Sequence, residues 1–395
     1  MNPVNARSAI LAGCLISAFG AMVFNILPML LGSVQDGLGF NDQQLGFLTS
    51  AYFTGFCVST ISAFYWVRKC NWKKSAVVLT GATVLVCLLL MVVKNYALYV
   101  TLLVLLGAST SAVYAIGTTY LGDTDNPARS YGFKIGAEAA LGAILLLLLP
   151  PLVVAQWGLQ GLLVSMMIVF LLLSLSIFWL PAKGIKGSEE FKNSLDTPDQ
   201  LVVPIVLSLV ALFIFFAGIS SLWAFIERIG NDAGFEATDI GTALSVSLVF
   251  AMLGSFLAGG LGDRFGFLTP VIAAFVVLVI GLYTLQITGF TYYFLGVCLF
   301  AMAYGFSLPV QVTIVSCFDT NGEFVVLTAV SIALGGIFGP GIAGYLKSPD
   351  SNLAILIFTG VTVGLSVLIY TYVFYFARYK DIQDQQNRQP SETPF

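Results

Sequence analysis

The sequence predicts an all-α membrane protein with twelve transmembrane helices in two pseudo-symmetric six-helix bundles. Three observations carry that prediction: too little charge for a water-facing surface, twelve apolar runs of membrane-spanning length, and a repeat relating the two halves. Of 395 residues, 58% are apolar and 9% are charged, against about 25% charged in a soluble domain. A hydrocarbon layer about 30 Å thick takes about 20 helical residues to cross, and apolar runs of that length recur along the whole chain. The 17 Lys and Arg face 20 Asp and Glu, a net charge of -3. Nucleic acid, which needs a basic excess, is therefore not an expected partner.

The runs are bounded by charge or by Gly/Pro clusters. An amino-terminal bundle over residues 1–180 holds Ser8 to Val34, Leu45 to Val67, Ser75 to Val93, Ala97 to Leu121, Ser130 to Val154 and Trp157 to Leu180. The first run is too long for a cleavable signal-peptide core and ends in Leu27-Pro28 with no cleavage site. Residues 181–200 form the longest internal polar stretch and read as a cytoplasmic linker. A second bundle over residues 201–378 holds Leu201 to Phe225, Thr238 to Gly260, Phe267 to Thr288, Phe290 to Ser316, Phe324 to Leu346 and Leu353 to Ala377. Residues 379–395 read as a polar, disordered cytoplasmic tail.

Basic residues in short loops set the orientation. With the amino terminus in the cytoplasm, thirteen Lys and Arg lie inside, Lys94, Arg228 and Lys347 lie outside, and Lys134 falls within a span. Both termini are then cytoplasmic, as expected for a multi-pass protein of a plasma membrane such as the bacterial inner membrane. The halves repeat at an offset of 195 residues, which brings Gly39-Phe40 onto Gly234-Phe235, Leu45-Gly46 onto Ile240-Gly241, Ala63 onto Ala258 and Asn126 onto Asn321. Two similar units in parallel orientation imply an axis along the membrane normal and a central path between them.

The six cysteines show no metal-ligand spacing and read as small hydrophobes. There is no histidine, so a Ser-His-Asp triad is impossible and any proton coupling must use a carboxylate. No glycine-rich phosphate loop followed by Lys appears. The chain is not expected to be an enzyme, to hydrolyse ATP or to need a cofactor or metal.

The loop Gly259-Gly260-Leu261-Gly262-Asp263-Arg264-Phe265-Gly266 resembles the signature Gly-x-x-x-Asp-Arg-x-Gly loop of the major facilitator superfamily. The resemblance covers essentially the whole chain. It implies a monomeric secondary transporter working by alternating access on a small-molecule substrate in the lipid bilayer, with Asp263 and Arg264 gating the cytoplasmic side. The first-half copy of the loop departs from the pattern: Arg68 replaces the acid, Lys69 keeps a positive charge and Asn71 replaces the glycine. The fourth span has Leu103 where many proton-coupled members carry an arginine four residues before a glycine, here Gly107. The Gly-Pro pattern of antiporters, expected in the fifth span, falls in the eleventh as Gly335, Gly339, Pro340 and Gly344, where close helix packing and bending is the plainer reading.

Ionisable side chains deep in lipid cost about 2.5–3.5 kcal/mol each on insertion scales and point to function. Lys134 and Glu138 share one face of the fifth span, one turn apart. Glu138 lies about 13 Å along the axis from Arg129, near the bilayer midplane. Burial disfavours a carboxylate's charged form and a neighbouring ammonium favours it, and opening the site to water changes both influences, as proton coupling requires. Glu138 is thus the candidate protonation site and Lys134 its partner; the alternative is a static ion pair fastening the fifth helix. At the outer end of the seventh span, Trp223, Glu227 and Arg228 either contact or gate a solute or sit in the interfacial belt, headgroups or water.

The resemblance places the first, fourth, seventh and tenth spans around the cavity. That makes Phe24, Asn25, Tyr114, Tyr304 and Gln311 further substrate-binding candidates, the two amides because a buried amide needs partners. An aromatic, nearly uncharged cavity favours a small amphipathic, zwitterionic or cationic solute over a polyanion. The alternatives are proton-coupled uptake by symport, toward which the missing fourth-span arginine points, drug or metabolite efflux by antiport, and a transporter-like sensor or lipid-handling protein.

Overall fold

The computed structural model describes residues 6–125, 127–183, 199–261, 268–319, 324, 327–348 and 351–388. Among them are thirteen α-helices. The first crossing is split into α1 (Arg7–Asn25) and α2 (Leu27–Leu38), and α3 (Asp42–Trp66), α4 (Trp72–Val92) and α5 (Tyr96–Gly122) follow. Next come α6 (Pro127–Leu149), continued by a π-helical turn at Pro150–Val154, and α7 (Ala155–Ser174). The second half has α8 (Asp199–Asp232), α9 (Ala237–Leu261), α10 (Leu268–Thr284), α11 (Phe290–Phe318), α12 (Leu327–Leu346) and α13 (Leu353–Arg388).

Among the described residues, ten helical segments are long and apolar enough to cross a membrane. One of them, Arg129–Trp179, is 51 residues long, about 75 Å at the helical rise, which is two crossings. It reverses at Gly158, whose φ of 53 is a left-handed value that favours glycine. Counting the shorter apolar helix Leu268–Thr284 gives the twelve crossings that the sequence predicts. The last helix runs on to Arg388, into the polar segment expected to be disordered. Its Lys, Arg, Gln and Asp residues extend an already nucleated helix at little cost.

Local chemistry sets the helix ends. Asn41 caps α3 by accepting from the Gln44 N–H at 2.9 Å, while the Gln44 side chain accepts from the Asn41 N–H at 2.9 Å. Asn71, which stands in place of the signature glycine, caps α4 by accepting from the Lys74 N–H at 3.1 Å. The departure at that position is a change from a tight turn to a helix start.

The repeat appears in three dimensions. Gly39 and Gly234, matched by the offset, end α2 and α8 with φ of 72 and 81. Phe40 packs edge-on against Tyr96 and Tyr99, and Phe235 packs against Phe290 and Tyr293. In each half a reciprocal pair of glycines lets two helices touch backbone to backbone. Gly55 faces the Val104 carbonyl and Gly107 the Tyr52 carbonyl across α3 and α5. Gly254 faces the Met302 carbonyl and Gly305 the Ala251 carbonyl across α9 and α11, about one turn beyond where the 195-residue offset puts them.

Replacing Gly107 by Ala puts a methyl group into the Tyr52 carbonyl, which α3 and α5 can relieve only by separating. The expected loss is about 1–3 kcal/mol, read as a lower Tm in purified protein. Gly81→Ala, where a Cβ meets nothing within 4 Å, leaves Tm essentially unchanged.

Candidate functional site

Three helices of the first half converge on Lys134 and Glu138. The Lys134 Nζ lies 2.9 Å from the Glu138 Oε1, and their side chains are 6% and 15% exposed. The same Oε1 accepts a 2.5 Å hydrogen bond from the Ser17 hydroxyl on α1. Lys134 in turn donates to the Tyr114 hydroxyl on α5 at 2.7 Å, with its ammonium 4.3 Å from the ring centroid. Glu138 is tied a second time through its backbone, whose carbonyl accepts from the Asn25 Nδ2 at 2.8 Å.

Glycines make the convergence possible. A side chain at Gly20 on α1 would overlap Tyr114, and one at Gly142 on α6 would overlap Asn25 and Leu248. Ser17, Gly20 and Asn25 fall at near-helical intervals on one face of α1. The result is a charged pair with donors on one of its carboxylate oxygens and an acceptor on its ammonium, the condition under which buried ions persist.

Above this pair, α1 stops at Asn25 and α2 restarts at Leu27, with Ile26 out of helical conformation (φ -99, ψ 11). Pro28 causes the break, because it has no N–H to offer the carbonyl of Phe24 four residues earlier. Trp223 of α8 fills the vacancy: its Nε1–H donates to the Phe24 oxygen at 2.9 Å. Trp223 is 5% exposed, so it is a contact between the halves and not an interfacial-belt residue. The Phe24 ring lies 5.8 Å from Phe53, 6.1 Å from Phe216 and 6.5 Å from Trp223, and Phe216 lies 6.2 Å from Tyr304. An aromatic group drawn from α1, α3, α8 and α11 thus bridges the two halves.

On the face opposite the amino terminus the halves meet closely. Arg228 Nη1 lies 3.0 Å from Asp36, and Lys347, just after α12, lies 3.5 Å from Asp42 and 2.9 Å from Asp232. The α12 glycines serve packing, as the plainer reading had it: Gly335 and Gly339 lie on the backbone of α8, and Gly344 lies on that of α3. The Ser245 hydroxyl of α9 donates to the Ala143 carbonyl of α6 at 2.8 Å.

The structure therefore gathers Lys134, Glu138, Asn25 and Tyr114 at one place, with Phe24, Trp223 and Tyr304 in the adjoining aromatic group. It does not bring Glu227, Arg228 or Gln311 there. Glu227 and Arg228 lie further out, Arg228 in its pair with Asp36. Gln311 turns toward α8 and α13, where Tyr370 donates to its Oε1 at 3.4 Å and to the Ser208 carbonyl at 3.1 Å. Its amide finds partners in the wall of the second bundle, so burial of an amide was not a mark of the cavity. Asp263 and Arg264 lie outside the described residues.

Sequence reasoning missed Ser17, Phe53 and Phe216. The spacing of Ser17 from Asn25 is the signal that finds the first. It also left open what became of the missing acid at position 68. Arg68 forms a two-oxygen contact with Asp123 at the end of α5, at 3.2 and 3.4 Å.

Two six-helix bundles meeting over a charged, aromatic-walled centre define a membrane transporter and not an enzyme. The model of the Major Facilitator Superfamily matches residues 11–316 and 208–395, and the chain belongs to that family. No curated protein matches the sequence. The fold is similar to that of a D-xylose-proton symporter (TM-score 0.74, 15% identity, covering 92% of this chain and 97% of the other). It is also similar to the nucleoside transporter NupG (TM-score 0.69, 12% identity, 96% and 100%). A third is a bacterial homologue of the human lysosomal transporter Spinster, inward-facing and occupied (TM-score 0.68, 15% identity, 93% and 96%).

Removing one partner of a buried ion pair leaves an uncompensated charge, at a cost of about 3–5 kcal/mol. Lys134→Met is expected to lower thermal stability by that order. The double variant Lys134→Met with Glu138→Gln recovers most of the loss, as measured by thermal unfolding in detergent.

Proposed function

We propose that the protein is a proton-coupled secondary transporter that takes up a small amphipathic organic solute by alternating access. The observation that carries this reading is the buried Lys134–Glu138 pair, held by Ser17 and Tyr114 beside the aromatic group that joins the halves. A static brace needs no such position. A coupling site needs a carboxylate whose charge is compensated from inside the protein in one state and by a proton in another.

The charge on Glu138 holds Lys134 in place. Protonation removes that charge and leaves the ammonium tethered to Tyr114, free to meet an anionic group of the solute. Phe24, Phe53, Phe216, Trp223 and Tyr304 supply faces for its apolar part, and the Asn25 amide lies alongside. Binding of solute and proton at adjoining groups is the arrangement symport requires. The fold shared with a D-xylose-proton symporter supports the same reading. The loop charges favour a cytoplasmic side for both termini, and on that reading the seam of Arg228–Asp36 and Lys347–Asp42 is the external gate, closed to the outside. The protein works as a monomer in a plasma membrane, the bacterial inner membrane in a bacterial host.

In proteoliposomes with an imposed pH gradient, the wild type accumulates a solute found by thermal-shift screening of a metabolite library. Glu138→Gln abolishes accumulation while sparing solute exchange; full retention of both refutes the assignment. Accumulation under the reverse gradient alone identifies an exporter, and no movement under either gradient identifies a sensor or lipid-handling protein.

A further inference from the structure

A cavity of about 160 Å³ lies in the seam on the external side, bounded by α2, α8, α9 and the π-helical end of α6. Most of its wall is aliphatic, from residues such as Leu146, Val154, Ile240 and Leu244. The carboxylate of Glu227 lines it, and the Oε2 of that carboxylate is buried without a hydrogen-bond partner. Gly32 of α2 approaches so closely that a side chain in its place would overlap the carboxylate. Glu227 belongs to the second half and Gly32 to the first, so closing the seam is what covers this oxygen.

The surrounding charges compensate it only in part: Arg228 attracts the carboxylate, while Asp36, which shares the cavity wall, and Asp232 repel it. Arg228, the next residue, gives its Nη1 to Asp36 of α2. Asp232, further along α8, is taken by Lys347 just after α12, which also reaches Asp42 of α3. Tyr293 of α11 spends its hydroxyl on the Ile226 carbonyl. Neither α6 with its π-helical end nor α9 places a titratable residue in the cavity wall. An ionised carboxylate held so, against aliphatic wall and with one oxygen undonated, opposes closure, whereas the neutral acid is compatible with it.

We propose that Glu227 is a second proton-binding site, loaded from the external side, whose protonation lets the seam close over it. The site takes a proton and not a metal cation: hard cations ask for six or more oxygen ligands, and no group of three metal-ligating His, Cys, Asp or Glu side chains occurs among the described residues. The inference rests on the alternating-access reading above but not on the role of Glu138. It gives the transporter a device that admits solute while the outer carboxylate is charged and seals the outer gate once it is neutral.

The test is a distance measurement by double electron–electron resonance in lipid nanodiscs, without substrate. Spin labels at Gln43 and Ala233, exposed in different halves on this face, report the seam in a cysteine-free background. In the wild type the ratio of closed to open seam falls as pH rises from 5 to 8, by up to about tenfold per pH unit, the limit for one linked proton. Glu227→Gln stays closed across the range, whereas Glu236→Gln, at an exposed carboxylate on the same face, keeps the wild-type response. Gly32→Ala, which crowds the carboxylate in the closed seam, shifts the population toward the long distance at both ends of the range.

A wild-type pH response surviving in Glu227→Gln overturns the proposal. So does a response lost in Glu236→Gln, a wild-type seam that closes with added sodium at fixed pH, or a Gly32→Ala seam that behaves as wild type. If the seam responds as stated but proteoliposomes show no proton-driven accumulation, the transport reading fails and the Glu227 site stands.

Discussion

A missing N–H organises the centre of this molecule. Pro28 cannot donate to the carbonyl of Phe24, so the first crossing breaks at Ile26 and leaves an acceptor deep in an apolar environment. Trp223, from the other half of the chain, supplies the donor. An unsatisfied carbonyl in hydrocarbon is costly, and a cross-bundle hydrogen bond in lipid is worth about 0.6–2 kcal/mol. The modest net value suits a contact that must be broken and remade, while the penalty for leaving both groups unpaired ensures that it forms when the halves meet. The break also presents Asn25 to the backbone of α6 and Phe24 to the aromatic group, so one proline fixes both the polar and the apolar sides of the centre.

The ion pair one layer deeper follows the same logic with higher stakes. Glu138 and Lys134 are neighbours on one helix, so their attraction does nothing to join helices; Ser17 and Tyr114 do that by binding the two ends of the pair from α1 and α5. The three helices all belong to the first half, and just beyond Glu138 α6 meets α9 of the second half, where Ser245 donates to the Ala143 carbonyl. Along α1 the Ser17 contact to Glu138, the Asn25 contact to the Glu138 carbonyl and the break at Ile26 follow one another on a single element.

Much of this was legible in the sequence because it rests on one-dimensional constraints. Run length fixed the crossings, and the offset that matched Gly39 with Gly234 picked out two positions that are left-handed helix ends in the structure. The i, i+4 spacing of Lys134 and Glu138 anticipated their pair. What escaped depends on which way a helix faces. Gln311 and Asn25 are both amides in apolar helices, yet one turns to α13 and the other to Glu138; burial alone does not separate them. Asn71 looked like a lost turn glycine and is a helix cap. Arg68 looked like a lost gate acid, and its partner Asp123 lies 55 residues on, beyond the reach of local pattern.

Alternating access requires two states of similar free energy, since a proton or a solute can shift a balance only by its difference in affinity for them. The closed seam meets that requirement by its composition. Asp36 is 63% exposed on its side chain and pairs with Arg228 near water, where an ion pair is worth about 0–1 kcal/mol. Lys347 is better buried at 4% but divides its ammonium between Asp42 and Asp232, so opening costs it one carboxylate and leaves the other, on α8 of its own half. Further contacts include glycines of α12 against the backbone of α3, the Ser245 hydrogen bond to the Ala143 carbonyl, and the aromatic group. The seam thus joins shared charges, glycine contacts and an indole hydrogen bond to the aliphatic residues around Glu227, so no one kind of contact holds the halves together.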